Sequence, residues 1–167
     1  MKIPLIPLAL CSLLLSAAAQ AGTLDLINHT HRDINRFSVD GIPGIDSVGP
    51  YQGGGGGCCY RAPMRWRPGM TVRVDWETGG GVDNDPFPGF ADWDNYLAWE
   101  KRLKSRRRQY SKVVPLPRYE EGKTCGITVH FLPCDEVKVT TSCMMYGHPD
   151  YPIKEPIRMP EPKSCPK

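Results

Sequence analysis

Alternation of apolar and polar side chains marks five short stretches of the chain as half-buried β-strands. In the clearest of them, Val72, Val74 and Trp76 share one face while Arg73 and Asp75 share the other. This pattern is typical of an antiparallel sheet with one solvated side. Polar turns follow the first two stretches, at residues 28–33 and 40–41. The strands are predicted at residues 23–27, 34–39, 71–76, 126–132 and 136–141.

One longer segment has helical periodicity instead. Asp92 can cap its N-terminus with a side-chain oxygen, and the pattern continues through about Gln109. The residues spaced to line one side of this helix are Trp93, Tyr96, Leu97, Glu100 and Leu103. The sequence therefore predicts one amphipathic helix.

Glycine and proline are frequent between these elements. The chain contains 17 glycines and 17 prolines, and both residue types favour turns and irregular segments. A long surface loop is predicted over residues 42–57, and an extended proline-rich tail over residues 148–167 with Cys165 available to pin it. The predicted fold class is mainly β (α+β), an antiparallel β-sheet or sandwich with one amphipathic helix and long Gly/Pro-rich loops, stapled by disulfides.

The N-terminus has the layout of a signal peptide. A short positive stretch ending at Lys2 precedes an apolar run over residues 3–18, and Ala19-Gln20-Ala21 fits the small-x-small cleavage pattern. The run is short for a bilayer and is interrupted by prolines, so no transmembrane span is predicted in the mature chain. We predict a signal peptide at residues 1–21 and one exported domain at residues 22–167. The predicted location is the periplasm, and soluble export is favoured over lipoprotein anchoring at Cys11.

Six cysteines follow the signal peptide, and an even number in an exported chain indicates disulfide bonds. They are Cys58, Cys59, Cys125, Cys134, Cys143 and Cys165. If Leu132 pairs with Val137 in a hairpin, Cys125 lies opposite Met144. A Cys125–Cys143 bond is then within reach, to about one residue of register.

The adjacent pair Cys58-Cys59 follows five glycines and admits two interpretations. A bond between neighbouring cysteines requires a strained ring, so the prediction is that each thiol bonds to a distant partner. A redox or metal role is the alternative, although no Cys-x-x-Cys pair stands at a helix N-terminus, where a thiolate would be stabilised.

The sequence contains no complete catalytic motif. Gly-x-Ser-x-Gly and His-Glu-x-x-His are both absent, and neither His29 with His31 nor Cys125 with His130 and Cys134 has an established zinc spacing. The formal net charge of +3 is too close to neutral to indicate a nucleic-acid partner. We therefore predict a non-enzymatic protein with no catalytic residues, no cofactor, no metal site and no nucleic-acid partner.

Residues 101–108 carry six cations in eight positions, near the end of the predicted helix, where positive charge is favourable. A solvated helix face is one interpretation, and contact with an acidic protein or with anionic lipid headgroups is the other. Trp66 and Trp76 are predicted to lie in the core. The exposed residues predicted to contact a protein partner are Tyr51, Tyr60, Arg61, Arg65, Trp99, Arg106, Arg107 and Arg108.

Four stretches resemble, in their order and approximate spacing, a proteobacterial family of exported proteins and lipoproteins catalogued as a domain of unknown function. They are Asn28-His29-Thr30 with Ile34 and Phe37-Ser38-Val39-Asp40-Gly41; Gly57-Cys58-Cys59 with Trp66-Arg67-Pro68-Gly69; Val114-Pro115-Leu116-Pro117 with Tyr119; and Val129-His130-Phe131-Leu132-Pro133-Cys134 with His148-Pro149 and Tyr151-Pro152. The resemblance covers most of the mature chain.

Members of that family are commonly encoded beside the type VI secretion apparatus and its phospholipase effectors. The resemblance therefore implies a periplasmic immunity protein, which binds and neutralises a lipase toxin. It also implies that Cys134 bonds to Cys58 or Cys59. Many relatives resemble lipoproteins, whereas this chain lacks a convincing lipid-attachment motif. The alternative functions are an envelope redox or metal-handling protein that uses the vicinal cysteines, and a non-enzymatic accessory protein of secretion or envelope assembly.

Overall fold

A computed structural model describes residues 22–44, 47–79 and 85–166. The predicted signal peptide lies outside these residues. Within the described ranges the chain forms eight strands, one α-helix and one short 3-10 turn. In chain order they are β1 (Gly22–Asn28), β2 (Ile34–Val39), β3 (Ile42–Pro43), β4 (Gly53–Tyr60), β5 (Thr71–Thr78), α1 (Trp93–Arg106), β6 (Arg108–Pro115), β7 (Gly126–Leu132), the 3-10 turn (Pro133–Asp135) and β8 (Glu136–Thr140).

The strands form two sheets of four that pack face to face. The first sheet has the order β4-β1-β7-β8, and the second has the order β3-β2-β5-β6. Apolar side chains from the inner faces fill the space between them, as in a β-sandwich. The ring of Phe131 from the first sheet lies 5.4 Å from Trp76 and 6.1 Å from Phe37 of the second, centroid to centroid. The predicted mainly β fold class with one helix is confirmed.

Five strands lie where the alternation of side chains predicts them: β1, β2, β5, β7 and β8. Leu24 and Leu26 of β1, together with Val72, Val74 and Trp76 of β5, are buried as their spacing predicts. One pairing departs from the predicted antiparallel arrangement, because β1 runs parallel to β7. The two strands are separated by most of the chain, and local patterning carries no information about such a pairing.

Two predicted element boundaries are wrong. The segment predicted as the end of a surface loop is strand β4, whose Gly53, Gly54 and Gly57 pair with β1 at the edge of the first sheet. The segment predicted as the last helical turn is the start of β6, because helix α1 ends at Arg106. Strand β6 pairs with β5 over its full length, from Arg108 with Thr78 to Pro115 with Thr71. This pairing outweighs the helical spacing of the basic residues.

Three disulfides join the six cysteines: Cys58–Cys59, Cys125–Cys143 and Cys134–Cys165. The second confirms the bond expected from the hairpin. The observed register of the hairpin differs by one residue from the predicted one, because Leu132 pairs with Glu136 instead of Val137. Continuing the observed register toward the strand ends places Cys125 opposite Cys143.

The expectation of distant partners for the vicinal cysteines is wrong, and so is a bond from either of them to Cys134. Cys58 pairs with Thr23, which pairs in turn with Gly126 at the start of β7. Cys134 follows the other end of β7. The intervening strand is about 20 Å long at 3.3 Å per residue, whereas bonded cysteines need Cα atoms within about 7 Å.

The C-terminal segment, residues 142–166, lies over the outer face of the first sheet without regular secondary structure; we call it the strap. Cys143 ties its start to Cys125, and Cys165 ties its end to Cys134. Between these bonds the Met159 amide donates a hydrogen bond to the His29 carbonyl oxygen over 3.3 Å. The strap therefore forms a third layer on this sheet.

We predict that the three disulfides contribute unequally to stability. The bonds at Cys125–Cys143 and Cys134–Cys165 join residues 18 and 31 positions apart, and closing loops of that size stabilises a fold by about 3 kcal/mol each. The Cys58–Cys59 bond closes almost no loop. In urea denaturation, the double serine variant of either long-range pair should lose about 3 kcal/mol of unfolding free energy, and C58S/C59S less than about 1 kcal/mol. Equal losses in all three variants would contradict this ranking.

Candidate functional site

Helix α1 and the loop before it stand apart from both sheets. They lie in the chain between β5 and β6, whose paired residues Thr78 and Arg108 mark the point of departure and return. We call described residues 85–107 the arm. None of them belongs to the core between the sheets, and Leu103 is the helix's buried residue. The helical face expected to pack on the domain is therefore largely exposed.

A glycine allows the arm to close tightly at its base. Gly79 has a φ of +89°, and a Cβ there would lie 2.5 Å from the Arg106 carbonyl oxygen. Any larger residue would clash with the end of helix α1 as well as adopting a disfavoured backbone conformation.

Aromatic rings form a continuous cluster on the arm. Ring centroids lie 4.9 Å apart for Phe87 and Phe90, 5.3 Å for Phe87 and Trp99, and 5.0 Å for Trp93 and Tyr96. These separations are typical of favourable aromatic pairs. Phe90 is nevertheless 70% exposed, Trp93 58% and Phe87 47%. A contiguous exposed apolar surface of this kind is characteristic of interaction sites.

Polar contacts of Asp85 hold the cluster in place. Its carboxylate accepts two hydrogen bonds of 3.1 Å from Arg102 and one of 3.0 Å from Arg106. Its carbonyl oxygen accepts a 2.7 Å bond from the indole N–H of Trp99. The hydrogen bonds from Arg102 are the main reason that the pKa of Asp85 is lowered. The helix is thus tied to the loop before it at three positions on one face.

Three of the five arginines predicted to contact a partner, Arg106–Arg108, all make contacts within the chain. Arg106 pairs with Asp85, and Arg107 lies 3.5 Å from the buried carboxylate of Glu77. Arg108 donates to the carbonyl oxygens of Ser105 and Arg107, over 2.8 and 2.9 Å. These contacts stabilise the junction of helix α1 with β6, and a role in partner binding stays a prediction.

The other predicted contact residues are spread over the surface. Arg61 is exposed, and Arg65 pairs with Glu121 at 3.1 Å. The guanidinium of Arg158 lies 4.2 Å from the ring centroid of Tyr51. The structure does not bring these residues together with the half-buried Trp99.

Tyr60 and Trp66 differ from their expected environments. Tyr60 was predicted to be exposed but is only 3% exposed, because the end of β4 turns its ring into the core. Burial raises the pKa of Tyr60 to about 12. The sequence predicts Trp66 in the core, but its side chain is only half-buried, and its indole N–H donates to the Leu116 carbonyl oxygen over 2.8 Å. Trp76 is in the core as predicted.

A buried hydrogen-bond chain joins the first sheet to the strap; we call it the relay. His29 Nδ1 lies 2.7 Å from the Pro156 carbonyl oxygen, and His29 Nε2 lies 2.8 Å from His130 Nδ1. His130 Nε2 lies 2.6 Å from the Tyr151 hydroxyl. All three side chains are almost completely inaccessible to solvent.

The Pro156 carbonyl determines where each proton of the relay lies. A carbonyl oxygen only accepts, so His29 Nδ1 carries a proton and donates to it. In neutral His29 the Nε2 atom is then an acceptor, so His130 Nδ1 donates to it. His130 Nε2 in turn accepts from the Tyr151 hydroxyl. Every ring nitrogen is engaged while both imidazoles are neutral.

Burial favours this neutral state. It lowers the pKa of His130 to about 3 and also lowers the pKa of His29. The nearest charged groups are Lys138 on β8 and Glu155 on the strap, which form an ion pair. Since every ring nitrogen is hydrogen-bonded and none reaches solvent, the relay fastens the strap to the sheet.

The relay is the part of the molecule that spacing in the sequence does not reveal. His29 occurs in the first stretch of the family resemblance, and His130 and Tyr151 occur in the fourth, yet nothing in those stretches indicates that the three side chains meet. His31, two residues from His29, is exposed and lies 2.9 Å from Glu161. Within the described ranges, no group of three or more His, Cys, Asp or Glu side chains is arranged to hold a metal.

We predict that the free energy of unfolding decreases as the pH is lowered from about 6.5, because of the relay. Unfolded His130 has the ordinary pKa of 6.5, whereas the folded pKa is about 3. The unfolded state therefore takes up a proton first as the pH falls, and each pH unit between these values costs up to about 1.4 kcal/mol. The measurement is the unfolding free energy in urea from pH 7.5 to 5.

The matched variants for this test are His130→Gln and His31→Gln. His130→Gln should lower stability at pH 7.5, since it disrupts buried hydrogen bonds, and should also reduce the slope between pH 6.5 and 5. His31→Gln should keep the part of that slope that the relay causes, because His31 is exposed and lies outside the relay. A wild-type slope in the His130 variant would show that the relay does not control the pH dependence.

The profile of a protein family described as protein of unknown function (DUF3304) matches residues 27–139. The match covers more than half of the chain, so the chain belongs to this family. It includes the arm, His29 and His130, whereas Tyr151 lies beyond it. No curated protein and no solved structure matches the chain. Among the described residues, no helix has the length and apolar character needed to cross a membrane.

Proposed function

We propose that this member of the DUF3304 family is a periplasmic binding protein that neutralises a secreted lipase toxin by binding to it. The observation that carries the proposal is the exposed aromatic cluster of the arm, centred on Phe87, Phe90 and Trp93. Three disulfides and a soluble sandwich are compatible with export.

The arm has the properties of a pre-organised binding element. Large aromatic side chains provide most of the binding free energy in many interfaces. On the arm they are held in place by ring contacts and by the ion pairs of Asp85 with Arg102 and Arg106. A side chain that is already ordered loses little conformational entropy when it binds. The arm also lies outside the core, so contact with a partner need not disturb the sandwich.

The chemistry of a lipase suits such an element. An enzyme that binds acyl chains presents an apolar surface to its substrate, and aromatic side chains can occupy that surface. The family resemblance implies the same partner, because relatives are encoded beside phospholipase effectors. Binding rather than catalysis is favoured by the relay, whose histidines are fully hydrogen-bonded and inaccessible.

We predict that the arm is required for protection against a lipase encoded beside the gene for this chain. Co-expression of both proteins in the periplasm should restore growth, and the purified proteins should bind tightly. The double variant F90A/W93A should weaken binding by about 100-fold or more, since each interface aromatic contributes about 2 kcal/mol when it is a hot spot. Growth assays and calorimetry provide the measurements.

The matched control is Met145→Ala, which truncates an even more exposed apolar side chain on the strap. It should bind and protect like the wild-type protein. A toxic lipase that is unaffected by the wild-type chain would refute the pairing with that lipase. Full protection by F90A/W93A would refute the role of the arm.

A second candidate function is thiol–disulfide exchange in the envelope, favoured by the exposure of both Cys58 and Cys59. In that reaction a dithiol substrate would be oxidised to a disulfide, and Cys58–Cys59 would take up its two electrons and two protons. The binding proposal predicts that C58S/C59S keeps its affinity for the lipase and its protective effect. If the variant instead loses protection along with the ability to oxidise a reduced peptide, the redox function is the correct one.

A further inference from the structure

One face of helix α1 combines apolar and charged side chains in a definite order. Trp93, Leu97 and Lys101 follow one another at intervals of four residues and so lie in a row. Asp94 lies beside this row, and all four side chains are exposed. Phe90, just before the helix, extends the apolar end. We call these residues the outer row.

The N-terminal end of the outer row also carries an acidic side chain, and its C-terminal end carries a basic one. Asp94 lies in the first turn, and Lys101 lies two turns further on. Among the described residues, neither of them has an ion-pair partner, whereas neighbouring Lys104 pairs with Glu100 at 2.8 Å. The carboxylate of Asp92 caps the helix by accepting from the Asn95 amide over 3.0 Å. Two unpaired charges of opposite sign therefore flank an exposed Leu97.

We propose that the outer row pairs with the outer row of a second copy of this chain, with the two helices antiparallel. A two-fold axis near Leu97 then brings the two Leu97 side chains together. It also places Asp94 of each copy beside Lys101 of the other, on the same flank of the row. A parallel two-fold arrangement would put the Asp94 and Lys101 side chains of the two copies on opposite flanks of the row, so neither charge would gain a partner of opposite sign.

Trp93 adds a second complementary contact to this arrangement. It precedes Leu97 by four residues, and Lys101 follows by four, so the antiparallel register brings the indole of one copy close to the ammonium of the other. An ammonium over an aromatic face is attracted to it. The dimer therefore contains two ion pairs and two cation–π contacts around an apolar centre.

The inference goes beyond the proposed function and does not depend on the identity of the toxin. A helix of 14 residues is about 21 Å long, so the interface is smaller than that of a stable dimer. The association is therefore weak and concentration-dependent. It covers Trp93 and Phe90 in the free protein, and a heterologous partner that uses the same surface competes with the second copy.

The test is sedimentation velocity of the disulfide-bonded mature chain over a range of concentrations up to about 0.5 mM, where dimers of small interfaces are populated. The wild-type protein should shift from monomer to dimer. Leu97→Asp places two carboxylates at the two-fold axis and should weaken dimerisation by at least about tenfold. Because Leu97 is 43% exposed and outside the core, the variant should keep its fold, which circular dichroism checks.

Variants that reverse the charges of Asp94 and Lys101 test whether the two helices are antiparallel. Asp94→Lys and Lys101→Glu should each weaken the dimer by about tenfold, and the double variant D94K/K101E should restore it, since both ion pairs are then reversed together. Met145→Asp is the control and should dimerise normally. A protein that stays monomeric at every concentration, a dimer unaffected by Leu97→Asp, or a double variant without rescue overturns the inference. A monomer that still protects against the lipase leaves the proposed function intact.

Discussion

The parallel pairing of β1 with β7 is the constraint on which the rest of the structure depends. It brings β1 into the middle of a sheet, between β4 and the β7–β8 hairpin. In doing so it sets Ile27 beside His130, so that His29 emerges next to the same ring. The relay, and through it the position of the strap, follows from this one register.

The two sheets carry different additions. The first sheet is covered by the strap, which hides its polar residues and is bonded to it covalently at both ends. The second sheet carries the arm, which is held by ion pairs and leaves its apolar side chains uncovered. The strap covers the first sheet, whereas the arm exposes apolar side chains to solvent. This division places the candidate contact surface on the arm rather than on the glycine-rich strand.

Local patterning predicts those elements whose residues alternate between apolar and polar types, as in β5 and β7, although the strap buries the polar face of β7 as well. It fails for β4, whose glycines have no side chains to show a pattern, and for β6, whose basic residues continue the helical spacing of α1. Asp92 correctly marks the start of the helix through its cap. The arm's exposure and the relay depend on contacts between distant segments, which a local pattern does not contain. The same limit explains why Cys134 could not be assigned to Cys165.

The two long-range disulfides interleave along the chain, in the order Cys125, Cys134, Cys143 and Cys165. A single cut by a protease anywhere between Cys125 and Cys165 therefore leaves the fragments joined by at least one covalent bond. The strap contains many prolines and no regular secondary structure, so it is the kind of segment that proteases attack. In a compartment rich in proteases, a nicked molecule would keep all its parts and present the same arm as an intact one.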